Sequence, residues 1–92
     1  MLRLVTIDLS DADVGVFEAY EAKVLALLPK HGGRVEMRVR ALDGQSETHL
    51  LHFPDHQTFE AYRADPARLE IAAEWEKSGA QSLAVDVERV GT

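Results

Sequence analysis

The sequence predicts an α+β domain: a four-stranded antiparallel sheet with two helices packed on one face. Three observations carry that reading. Apolar residues alternate with polar ones over residues 2–9, 34–42, 47–53 and 81–90, the period of half-buried strands. The first and second of these runs, and the third and fourth, are separated by stretches with helical spacing. Between the second and third, Asp43-Gly44 is a hairpin signal. The resulting order is strand, helix, strand, strand, helix, strand. That is the split βαβ, or ferredoxin-like, arrangement, in which right-handed crossovers put both helices on the same side. Residues 1–92 read as a single domain.

In the first strand Val5, Ile7 and Leu9 share one face, and Leu2, Leu4, Thr6 and Asp8 share the other. Ser10 reads as the N-cap of the first helix, with Asp13 as its capping-box partner. The helical pattern runs over residues 11–31, with Val14, Phe17, Tyr20 or Glu21, Val24, Leu27 and Leu28 recurring at three and four. Glu18, Glu21 and Lys23 are expected toward the polar side. Pro29 loosens the last turn and Gly32-Gly33 stops it. In the second strand Val35, Met37 and Val39 are expected to face the helices, leaving Arg34, Glu36, Arg38 and Arg40 outside.

The third strand has two possible registers. The one preferred here buries Leu51 and Phe53 and turns Thr48 and His52 to the open face, because Phe53 is the largest apolar residue of the strand. Pro54 breaks the strand and Asp55 caps a helix over residues 57–64. Asp65-Pro66 restarts the helix, with Asp65 as N-cap and proline at the first position, and the pattern runs to about Lys77 before Gly79 ends it. In the last strand Leu83, Val85 and Val87 are expected under the helices and Ala84, Asp86 and Glu88 on the open face.

Composition narrows the function classes. Ten basic residues oppose sixteen acidic ones, for a formal net charge of −6. Nucleic-acid binding, which needs a basic face, is disfavoured. The chain has no cysteine, which removes disulfides and thiolate metal sites and fits a reducing cytoplasm. No apolar run is long enough for a signal peptide or a membrane span, so a cytoplasmic protein is expected, without nucleic-acid or membrane partners. No metal motif is present: His49 and His52 lie three apart on a strand and point to opposite faces. A chain this short hides only about two-thirds of its surface when it folds alone, leaving about 5,300 Å² exposed. Two helices cannot cover both faces of the sheet. The uncovered face suggests sheet-to-sheet dimerisation around a polar-lined cavity.

The chain resembles the dimeric α+β barrel superfamily. It most resembles a family of short, uncharacterised bacterial proteins related to antibiotic biosynthesis monooxygenase-like barrels. The carriers are Phe17-Glu18-Ala19-Tyr20, Lys30-His31-Gly32-Gly33, Phe53-Pro54-Asp55, and Tyr62 with Asp65-Pro66. The resemblance implies a homodimer whose two sheets face each other. Better-known members include quinone-forming monooxygenases that use no cofactor, haem-degrading monooxygenases and muconolactone isomerases. The haem-degrading group uses an Asn on its first strand and a Trp and a His in the later helical region. Trp75 matches the Trp, but this chain has no Asn and no His after His56.

Among the four histidines, His52 is the leading candidate, because it sits mid-strand among apolar neighbours and faces the barrel in the preferred register. His31 reads as a helix C-terminal dipole contact, His56 as solvated, and His49 as lying near the hairpin. His52, Arg38 and Asp86 form the expected catalytic set. Thr6, Asp8 and Trp75 are the expected ligand contacts. The same charged groups alternatively form cross-subunit ion pairs. No cofactor is expected. The function expected is a homodimeric barrel with a small-molecule pocket between the sheets and the helices or at the dimer interface, taking a small anionic or aromatic ligand. The alternative is a cofactor-independent monooxygenase, isomerase or lyase acting on a small aromatic or keto-acid substrate.

Overall fold

The computed structural model describes residues 1–91. Its elements are β1 (Leu2–Asp8), α1 (Val14–Ala26), a 3₁₀ turn (Leu28–His31), β2 (Arg34–Arg40), β3 (Ser46–His52), α2 (His56–Arg63), α3 (Pro66–Glu70), α4 (Ala72–Ser78) and β4 (Gln81–Val87). The strands form one antiparallel sheet in the order β2-β3-β1-β4, the expected ferredoxin-like topology.

The helix caps follow local chemistry. Asp55 caps α2: its carboxylate accepts from the Thr58 N–H at 2.8 Å, and Thr58 closes the reciprocal capping box. Asp65 caps α3 with Pro66 at the first position, accepting from the Ala67 N–H at 2.9 Å. Its other oxygen lies 2.7 Å from His31 Nε2 and 2.9 Å from Lys30 Nζ. His31, Lys30 and the Ala67 N–H hold this buried carboxyl well below the usual carboxylate range. Gly79 ends α4 at φ 76°, where a Cβ would also come within 3.0 Å of the Asp11 carbonyl.

Several boundaries differ from expectation: β2 ends at Arg40 and β4 at Val87, short of residues 42 and 90. The cap of α1 is Asp13, whose carboxylate accepts from the Val16 N–H at 3.1 Å. Ser10 instead donates its N–H and hydroxyl to Asp8, at 2.9 and 2.7 Å, and so is not free to cap. Pro29 turns the end of the first helical stretch into a separate 3₁₀ segment. The second helical stretch breaks at Ile71, so α3 and α4 are separate.

The larger corrections concern which way two strands face. β2 pairs Val35 with Leu51 but Met37 with Leu50, so Glu36 is an inserted bulge residue. Beyond the bulge the alternation is reversed. Met37 and Val39 lie on the open face, while Arg38 and Arg40 lie beneath the helices. β4 is reversed throughout. Leu83, Val85 and Val87 pair with Thr6, Leu4 and Leu2 on the open face, and Ser82, Ala84 and Asp86 lie on the helix side. Asp86 is held there by Arg3, whose Nη1 donates to it at 2.8 Å. In β3 the preferred facing is the observed one: Leu51 and Phe53 are buried, and Thr48 and His52 are on the open face.

The core is in two parts. Leu28, Leu51, Phe53, Phe59 and Tyr62 form one cluster, and Ile7, Leu9, Phe17 and Ala80 form the other. Val5 packs against both, and the space between them stays open. Phe53 is fully buried, with Phe59 and Tyr62 ring centroids at 5.2 and 5.4 Å. Phe53→Ala is therefore expected to lower stability by about 3–5 kcal/mol, read from the urea unfolding midpoint. A loss below about 1 kcal/mol would show that this cluster does not anchor the fold.

Candidate functional site

A cavity of about 370 Å³ opens between the sheet and the helices. This is the size of a small-ligand site. The β4 residues that line it are Ser82 and Ala84, whose short side chains leave the space that longer ones would close. Tyr20, Val24, Tyr62 and Trp75 contribute its apolar and aromatic wall.

Two buried ionisable groups, Glu21 and His49, line the same cavity, and a third, Glu47, lies against His49. Glu21 comes from α1, where Phe17, Tyr20, Glu21 and Val24 form the buried stripe. Glu47 and His49 come from β3, where they alternate with outward residues on the same face as Leu51. All three are at most 5% exposed. His49 Nε2 lies 2.5 Å from Glu47, and its Nδ1 lies 3.7 Å from Glu21. Glu47 also accepts from Arg38 Nε at 3.0 Å and from Arg40 Nη2 at 2.7 Å. Arg40 in turn reaches Glu18 at 2.9 Å.

The electrostatics follow from these partners. Burial pushes Glu47 up, but its bonds to His49, Arg40 and Arg38 outweigh that, and its carboxyl ends below the ordinary glutamate value. Burial lowers His49, offset in part by Glu47. Glu21 has no such support: burial pushes it up to about 7, with Glu47 adding to the rise and Arg38 and Arg68 opposing it. Near neutrality the group is thus an ionised Glu47, a neutral His49 donating from Nε2, and a half-protonated Glu21 facing the free Nδ1. A carboxyl poised near 7 beside a neutral imidazole can accept a proton from a bound molecule and return it. Among the described residues no cluster of three or more acidic or histidine ligands has metal-binding geometry.

The sheet divides the expected catalytic set. His52 is on the open face, opposite Leu2 and Arg34. Arg38 and Asp86 are on the helix side, Arg38 bound to Glu47 and Asp86 to Arg3. They cannot act together with His52. Thr6 and Asp8 line a separate groove of about 290 Å³ beside Ser46, Gln81 and Leu83. Trp75 does line the main cavity, its ring 5.4 Å from that of Tyr20. Sequence reasoning missed Glu21, Glu47 and His49. The signal was present: Glu21 lies four residues after Phe17 and three before Val24, and burying Leu51 and Phe53 brings Glu47 and His49 with them by the two-residue period.

No protein-family model matches the chain, and none of the curated proteins matches it. Solved structures do. SnoaB, a cofactor-independent oxygenase from Streptomyces nogalater, superposes with a TM-score of 0.73 at 19% identity, over 97% of this chain and 94% of that one. An antibiotic biosynthesis monooxygenase gives 0.62 at 9% identity, over 97% and 100%. A NIPSNAP domain protein from Burkholderia xenovorans gives 0.63 at 15%, over 100% and 99%. The chain has the ferredoxin-like α+β fold of the antibiotic biosynthesis monooxygenase-like proteins. At these identities the likeness is one of fold.

The raised Glu21 value is also a statement about stability. The folded protein binds this proton more tightly than the unfolded chain does, so stability falls as pH rises from the ordinary glutamate value of 4.5 to about 7 and then levels off. The penalty above that window is on the order of 3 kcal/mol. Glu21→Gln removes it. The variant is expected to melt higher than the native protein at pH 8, with the difference shrinking toward zero near pH 5, as followed by scanning calorimetry. An equal melting difference at both pH values would mean that Glu21 is not buried in its charged form.

Proposed function

We propose that this protein is a homodimeric, cofactor-independent enzyme that takes a proton from a small phenolic or keto-form aromatic substrate and lets the resulting anion react with dioxygen. The observation that carries the reading is Glu21, buried at a cavity wall, raised to about 7, and backed by the His49–Glu47 pair. The fold shared with SnoaB, described as a cofactor-independent oxygenase, supports the same direction.

The chemistry asks little else of the chain. Glu21 accepts a proton from a ring CH₂ of the keto tautomer. His49, held by Glu47, stabilises the protonated carboxyl. The carbanion adds dioxygen to form a C–O bond, and protonation gives a hydroperoxide. Loss of water then leaves a carbonyl: one oxygen atom enters the product and the other leaves as water.

The dimer rests on the open face. Val39, Val85 and Leu83 are 50%, 46% and 71% exposed there, beside Leu4, Met37 and Leu50. The isolated chain exposes 5768 Å², against about 5,300 Å² for an average chain of this mass. An uncovered sheet face carrying this apolar group is covered best by a second sheet, and a copy of the same face is self-complementary.

Two measurements test the proposal. With anthrone as probe, oxygen uptake is expected to rise as pH passes about 7, following ionisation of Glu21, and Glu21→Gln is expected to lower it by about 100-fold or more. Uptake that the protein does not accelerate, or that survives Glu21→Gln, refutes the enzyme reading. For the assembly, light scattering is expected to give a dimer for the native chain and a folded monomer for Val39→Asp/Val85→Asp, since both positions are exposed in the single chain. A native monomer at micromolar concentration removes the dimer.

A further inference from the structure

Among the described residues Arg68 is the arginine that forms no ion pair. Of the seven arginines in the chain, six meet a carboxylate at 2.7 to 3.7 Å, Arg3 through Asp86 and Arg38 and Arg40 through Glu47 among them. Among the described residues Arg68 meets none, although the chain carries sixteen acidic residues and a net charge of −6. Its Nε is buried and has no hydrogen-bond acceptor. A buried N–H donor with no acceptor is costly, and an acceptor brought by a ligand would satisfy it.

The surroundings say what kind of ligand. Arg68 lines the main cavity, its guanidinium 5.1 Å from the centre of the Tyr62 ring. Arg3 lines the same cavity, stacked at 4.7 Å over Phe59, but its Nη1 is taken by Asp86. Arg63, also in the lining, lies 3.5 Å from Glu60, so among the described residues Arg68 is the cation of that wall without a carboxylate partner. A planar fork of N–H donors matches a carboxylate better than a point charge does. Beside it, Tyr20, Tyr62 and Trp75 offer flat apolar surface, and Glu21 with His49 completes the lining.

We infer that the cavity takes a planar aromatic carboxylate, with its carboxylate on Arg68, its ring along Tyr62 and Trp75, and its ionisable hydroxyl or C–H toward Glu21 and His49. This inference rests on the proposed function for its choice of cavity, and it adds a resting negative charge to the substrate. That charge is distinct from the one the base creates. In an acidic protein whose overall field repels anions, Arg68 supplies the local attraction.

The test is calorimetric titration of the full chain with a matched pair of probes, 3-hydroxy-2-naphthoate and 2-naphthol, which differ only in the carboxylate. The naphthoate is expected to bind about tenfold or more tightly than the naphthol. Arg68→Leu is expected to bring the naphthoate down to the level of the naphthol and to leave the naphthol unchanged. Equal affinity of the two probes for the native chain overturns the inference without any variant and leaves the cavity reading standing. Equal weakening of both probes by Arg68→Leu, with an unchanged melting temperature, also overturns it, because Arg68 is then only packing. Binding of neither probe overturns the cavity reading and this inference together.

Discussion

Glu47 is a carboxylate with almost no access to solvent, and much of the architecture serves to keep it charged. It is tolerable only because Arg38, Arg40 and His49 all reach it. The two arginines reach it because Glu36 is an extra residue in β2. An unbroken alternation would carry both guanidinium groups to the other side of the sheet and leave the charge unpaired. The same bulge turns Met37 and Val39 outward. One inserted residue therefore decides the polarity of both faces at this edge: ionic beneath the helices, apolar on the open side.

From Glu47 the consequences run inward. An ionised Glu47 requires a donor at His49 Nε2, which leaves Nδ1 as an acceptor turned toward Glu21. Glu21 receives no such neutralisation, so burial acts on it unopposed except by the more distant Arg38 and Arg68. Two glutamates near one histidine are thus driven apart, one below its ordinary value and one to about 7. Separation of this kind assigns one group to hold charge and the other to exchange protons. The split core makes that arrangement usable. A continuous core would bury the three groups in a dry interior, whereas the gap between the clusters gives Glu21 and His49 a wall to face.

Much of the fold could be read from local signals, because local chemistry produced it. Asp55 with Thr58, Asp65 with Pro66, and Gly79 act through groups within three residues of themselves, and their effects appear where expected. Ser10 failed as a cap because Asp8, two residues earlier, competes for its hydroxyl. The site was partly legible. The choice of Phe53 for the core already committed Glu47 and His49 to the same face, and the spacing of Phe17, Glu21 and Val24 placed a carboxyl on the buried stripe. What misled was the assumption that the more apolar set of each strand faces the helices. In β4 that set faces out, and the helix side carries Ser82, Ala84 and Asp86.

The sequence by itself determined the element order, the antiparallel topology, the caps at Asp55, Asp65 and Gly79, and the facing of β1 and β3, because each follows from periodicity, turn chemistry or chain reach. Only the tertiary structure decided the facing of β2 and β4, and with it where the cavity lies and which charged groups meet. The physical reason is that a bulge changes no composition and carries no local signature. A strand with two usable faces takes its orientation from the charges and volumes opposite it, here Glu47 against Arg38 and Arg40, and Arg3 against Asp86.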